Sequence, residues 1–153
     1  MFKKSLIAVL FSLIMAMVLG TSAFAANDFQ TVESTNTEEV SPEIAKALAD
    51  IELVNNEIEA KIAETQALSV LYFAAYQSKV EGVESISEKN KLYSAYNKKI
   101  NAKINELKVT TRELTKEGMK AAREAGINTR PNLIRVEFAD RFAMIDPMVV
   151  VGW

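Results

Sequence analysis

The sequence predicts a mainly α fold: a long antiparallel helical hairpin of coiled-coil type, followed by a short C-terminal β-hairpin or extended segment. Three observations carry this. Two long glycine-poor spans, within residues 41–82 and 85–126, repeat their apolar residues in steps of three and four. Only a few residues around Gly82 separate them, and after Gly126 the apolar period falls to two.

Ahead of the first span, residues 1–25 read as a cleavable signal peptide. Lys3 and Lys4 give a positive start, Ser5 to Gly20 is uncharged and mostly apolar, and Ala23-Phe24-Ala25 supplies the A-x-A cleavage site. A membrane anchor needs about 20 apolar residues with flanking charge, and here a cleavage site stands where that charge belongs. The expected location is therefore outside the cytoplasm, secreted or in the periplasm or cell envelope. With no cysteine in the chain, a lipidated N-terminal cysteine and a disulfide are both excluded. Cleavage leaves 128 residues with 16 basic and 20 acidic side chains, a formal charge of −4, so bulk attraction to nucleic acid or anionic lipid is not expected.

Residues 26–40 are polar, carry four acids, and bury too little to offset ordering, which marks a flexible leader. Ser41-Pro42-Glu43 then opens a helix, with a capping hydroxyl, a proline at the first position and an acid at the positive end. Its seam runs through Ile44, Leu48, Ile51, Asn55, Ile58 and Ile62, and Lys79 with Gly82 ends it. A helix of about 38 residues is roughly 57 Å long and needs a partner alongside.

The second span supplies that partner. Ser85-Ile86-Ser87-Glu88 has capping-box form, and the seam continues through Tyr93, Tyr96 or Asn97, Ile100, Ile104, Leu107, Thr111, Leu114, Gly118, Ala121 and Ala125. So short a loop makes the helices antiparallel, setting Ile62 opposite Leu107, Ile58 opposite Thr111 and Ile51 opposite Gly118. Residues 42–80 carry six acids and three bases, residues 85–125 five acids and ten bases. An acidic helix beside a basic one favours closure, with Glu59 and Lys108 at matching positions. The polar seam members Asn55, Thr65, Ser69 and Thr111 are expected to fix the register.

In the last segment, 127–153, Ile134, Val136 and Phe138 alternate with Arg135, Glu137 and Ala139, a strand signature. Asp140-Arg141 can turn the chain and Phe142 to Ile145 can return. Asp146-Pro147 interrupts, and Met148 to Trp153 is uncharged in its side chains. A lone hairpin is marginal in water, so this one must pack on the helix ends or on another chain.

Catalytic chemistry has no visible carrier. The chain lacks histidine and cysteine, which removes the usual zinc, haem and triad residues, and its five glycines are scattered singly, without a phosphate-binding loop. No enzyme, metal or cofactor is expected. The basic row Lys98, Lys99, Lys103, Lys108, Arg112, Lys116, Lys120 and Arg123 reads as a solvated face balanced by the first helix, with no nucleic-acid role.

Residues 67–76, Ala-Leu-Ser-Val-Leu-Tyr-Phe-Ala-Ala-Tyr, are apolar nearly all round, while one partner helix covers only a stripe. The tail starts at the opposite end, some 50 Å away by helical rise, and a short hairpin would not reach. Either the helix breaks near Thr65-Gln66, or another molecule covers this surface, with Phe73 beside the seam and bare. The candidate interaction residues are Leu68, Leu71, Tyr72, Phe73, Tyr76, Tyr93, Tyr96 and the terminal Trp153. The expected function is helix-mediated assembly with a protein partner or with itself. In shape alone the architecture resembles tentacle-like periplasmic holdase chaperones, from which it departs in being acidic and lacking an N-terminal strand; that resemblance implies client binding as the alternative. A membrane-active role is less favoured, because 67–76 is too short to span a bilayer.

Overall fold

The computed structural model describes residues 40–153. The candidate signal peptide and all of the polar leader except Val40 lie outside the described residues. The fold is a two-helix bundle followed by two small antiparallel β ladders. Helices α1 (Pro42–Val80) and α2 (Ile86–Glu124) have 39 residues each, about 58 Å at the helical rise, and α1 runs unbroken through Thr65-Gln66.

The ends are set by the residues that predicted them. Ser41 Oγ accepts the Ile44 amide at 3.3 Å, and Ser85 Oγ accepts the Glu88 amide at 3.4 Å. Gly126 adopts φ 84°, the left-handed conformation that closes a helix. The Ile127 amide then reaches the Ala122 carbonyl at 2.8 Å and the Gly126 amide the Arg123 carbonyl at 3.0 Å, the paired bonds of a Schellman ending. This turn buries Ile127 completely and aims the chain back along the bundle.

Four strands follow: β1 (Asn128–Pro131), β2 (Ile134–Glu137), β3 (Phe142–Ile145) and β4 (Met148–Gly152). β1 pairs antiparallel with β4 and β2 with β3. The pairs are nested, and the Asn132 amide bonds the Pro147 carbonyl at 2.7 Å where the strands pause. The tail is thus one long outward and returning arm with a two-residue tip, Ala139-Asp140, closed by the Phe138 amide on the Arg141 carbonyl at 2.7 Å. From Asn128 to Ala139 such a chain spans roughly 40 Å. That length corrects the expectation that a short hairpin would not reach residues 67–76, since the tip arrives at Ser69. β1 was not foreseen.

The core lies where arm and helices meet. Ile58, Ile62, Ile100, Ile104 and Leu107 from the helices enclose Val136, Phe138, Ala143 and Ile145 from β2, β3 and the tip. A second cluster joins Ala47, Ile51, Ala122, Ile127 and Met148 at the open end. Each fully buried Ile or Met stabilises the fold by about 1.5–3 kcal/mol relative to exposure, so the arm is a structural layer. It also moves the buried stripe of α2 near its C-terminus. Thr115 and Ala122 are buried while Ala121 is exposed, in place of the expected Leu114, Ala121 and Ala125, because that flank faces the strands.

The polar seam residues hold the arm, a role the sequence reading assigned to helix register. Asn55 grips the backbone of Met148 twice, its Nδ2 donating to the carbonyl at 2.8 Å and its Oδ1 accepting the amide at 3.1 Å. The Thr115 hydroxyl donates to the Asp146 carbonyl, and Ser69 Oγ accepts the Ala139 amide at 3.0 Å. Thr65 and Thr111 instead bond back to carbonyls of their own helices, Lys61 and Lys108. The charge expectation also needs correction. Among the described residues every ion pair lies within one element or the tip, and Glu59 and Lys108 form none.

Candidate interaction surface

The tip of the arm docks about two-thirds of the way along the bundle, at Gln66 and Ser69, and leaves the loop end of the helices uncovered by the arm beyond it. Five side chains anchor it. Gln66 Nε2 donates to the Glu137 carbonyl at 2.8 Å and Ser69 accepts from Ala139, both from α1. From α2, the Tyr96 hydroxyl donates to Asp140 Oδ1 at 2.7 Å, while Asn97 and Asn101 Oδ1 each accept from Arg141 Nη1 at 2.6 Å. Arg141 turns its remaining fork on Asp140, Nε to Oδ1 at 2.8 Å and Nη2 to Oδ2 at 2.9 Å.

These contacts shift the local titrations. Burial, and next the hydrogen bond to Asp140, push the Tyr96 phenol up to about 12. The Arg141 guanidinium holds the Asp140 carboxyl below the usual range, against the opposing effect of burial. Asp140 in turn keeps Arg141 above its ordinary value. The tip is therefore a neutral cluster in which four of the five N–H donors of Arg141 are spent on Asp140, Asn97 and Asn101.

Past the tip, four aromatic rings stand in contact. Tyr76 stacks on Tyr96 at 5.1 Å with planes 16° apart, and Tyr93 meets Tyr76 edge-on at 5.9 Å. Phe73 lies 5.8 Å from Tyr96 and 6.2 Å from Tyr76. Lys99 Nζ sits 3.9 Å from the centre of the Tyr72 ring, a cation–π contact between the two helices. Helical spacing explains the grouping: 73, 76 and 93, 96 are each three apart, so both pairs line the interhelical face.

The structure thus brings Tyr72, Phe73, Tyr76, Tyr93 and Tyr96 together. Tyr96 is buried, Tyr72, Phe73 and Tyr76 are half-buried, and Tyr93 remains 47% exposed. The expectation that Phe73 lacks cover from its own chain is corrected by its contact with Tyr96 and the main core. Leu68 and Leu71 are half-buried outside that ring cluster. Trp153 is exposed on the strand-bearing end, away from the other candidates. Bare apolar side chains around the loop end include Val70 and Ile86, 57% and 76% exposed. Gln66, Asn97, Asn101, Asp140 and Arg141 carry no signal in the sequence that marks them as anchors. Asp140-Arg141 reads only as a turn, and nothing local announces which carboxamides it will meet.

No group of three or more acidic, histidine or cysteine side chains able to hold a metal ion occurs among the described residues, and no helix there is long and apolar enough to cross a membrane. Comparison with protein-family models, curated proteins and solved structures finds no match.

Proposed function

We propose that the protein is an exported, non-enzymatic interaction or assembly protein whose loop end binds another protein or a second copy of itself. The observation that carries this reading is that the helices continue roughly 16 Å past the docked tip, by the helical rise of residues 70–80. Over that length Val70, Ile86 and Tyr93 stay exposed around the aromatic cluster. Monomeric proteins seldom leave such surface without use. Export rests on the A-x-A segment and places the partner outside the cytoplasm.

Tyr93 and Ile86 are the residues to change, since Tyr96, Phe73 and Tyr76 also support the fold. Tyr93→Ser with Ile86→Ser should keep the helicity and melting temperature of the parent while lowering the mass measured by light scattering or abolishing capture of a protein partner from the cell envelope. A parent that is monomeric at every concentration, binds no envelope protein and suppresses aggregation of an unrelated denatured protein would replace assembly with client holding. Loss of stability equal to that of a core change would make the loop end ordinary core and end the proposal.

A further inference from the structure

The outward face of α2 carries charge that the fold leaves unused. Residues 40–153 hold 16 acidic and 16 basic side chains, so the body is neutral and the arrangement of its charges, not their sum, governs what it attracts. At 100° per residue, Lys91, Lys98, Arg112, Lys116, Lys120 and Arg123 fall within an arc of about 80°. All six are exposed, and the arc lies opposite the buried row that includes Ile100, Leu107, Thr111 and Gly118. No acid shares it. The five acids of α2, Glu88, Glu106, Glu113, Glu117 and Glu124, stand in a separate row beginning about 20° beyond its edge.

The arm lies against α2 on the buried side, and α1 makes no ion pair with it among the described residues. Within the row and among the described residues, Lys120 alone has an acidic neighbour in reach, Glu124 at 3.9 Å, and that pair is exposed on both sides. Balance by the first helix, the basis for reading these residues as neutralised, is not what the structure contains. The six charges extend over roughly 48 Å, with three of them, Arg112, Lys116 and Lys120, recurring about every 6 Å.

We propose that this row is a docking track for a linear phosphate polymer running along α2. The inference stands apart from the loop-end reading. Charge complementarity selects an anion, and the neighbouring side chains select its form. Between the cations the arc holds Ser94, Ala102, Asn105 and Val109, with Val109 its one large exposed apolar residue and no aromatic ring. A protein partner would require an apolar centre, single-stranded nucleic acid would find no ring for its bases to stack on, and a bilayer would find little to insert and would meet the acidic row beside it. A thin chain of phosphates needs only the cations.

Long-chain inorganic polyphosphate is the probe, tested by fluorescence anisotropy against the chain as purified after export over a series of salt concentrations. With six contacts, log K should fall against log salt with a slope of roughly −4, at about 0.7 per neutralised phosphate. Arg112→Gln/Lys116→Gln/Lys120→Gln should reduce that slope by about 2 and weaken low-salt binding at least tenfold, by loss of three contacts. Lys98→Gln/Arg123→Gln should act in the same direction, guarding against misfolding of the triple variant, and circular dichroism should show both folded. The off-row triple Lys46→Gln/Lys79→Gln/Lys89→Gln removes as much charge and should bind like the parent. Equal weakening by the off-row triple, absence of binding at low salt, or tighter binding to anionic phospholipid vesicles or single-stranded DNA would each overturn the proposal.

Discussion

At Gly118 the arm packs closely on the second helix, and substituting this residue sets two effects against each other. It lies in the interior of α2, where alanine is preferred to glycine by about 1 kcal/mol. A methyl group built there, however, falls 2.2 Å from Met148 Cε, 3.1 Å from its Sδ and 3.3 Å from Val54 Cγ1. Met148 is 1% exposed, so its terminus must turn into packed surroundings, and overpacking of this kind costs about 1–3 kcal/mol. The thioether is flexible and recovers part of that loss. Gly118→Ala should therefore destabilise by about 0–2 kcal/mol despite the better helix former. The decisive measurement repeats the change in a Met148→Ala background, by urea unfolding followed with circular dichroism. With the thioether gone the same substitution should stabilise by about 1 kcal/mol, a reversal of sign that gives the pair a coupling of roughly 1–3 kcal/mol. If Gly118→Ala stabilises equally in both backgrounds, the close approach of β4 to α2 is wrong.

Tyr96→Phe should cost about 1 kcal/mol at neutral pH by removing the bond to Asp140. The phenol is protonated more strongly in the fold, at about 12 against 10.0, so its stabilisation is complete below pH 10 and is lost as pH rises from 10 to 12. Unfolding free energy should fall by about 2–3 kcal/mol over that interval in the parent and by visibly less in the variant; parallel profiles would remove Tyr96 from the anchor. Asn55→Ala should cost about 2–4 kcal/mol, because both backbone groups of Met148 lose their partner in a half-buried site. Unchanged hydrogen exchange of the Met148 amide in that variant would mean that Asn55 does not hold β4.

The helices could be read because their signals are local. Ser41-Pro42, Gly82, Ser85 and Gly126 each act within one turn of chain, and each does so in the structure. β2 and β3 could be read because alternation reports a half-buried strand wherever it packs. β1 could not: Asn128-Thr129-Arg130-Pro131 has no apolar alternation and forms because the backbone of the apolar β4 needs an antiparallel partner. The end of the α2 seam failed for a related reason, since Thr115 is buried by a bond to Asp146, 31 positions away. The aromatic cluster was legible as composition, its internal stacking was not, and the tip that stops short of it depends on the length of an arm whose outer strand carried no signal.

Asn55 also bears on how the molecule avoids its neighbours. A strand such as Met148-Val149-Val150-Val151-Gly152, uncharged and paired on one side only, invites another chain to add itself to the open side. By presenting an amide nitrogen and an amide oxygen to the Met148 backbone, Asn55 imitates the rung that an invading strand would offer, and fills its place first. The five-residue length of β4 leaves little ladder beyond that rung. A side chain from a helix thus ends the sheet, and its removal should show in concentrated solution as sheet-rich aggregates.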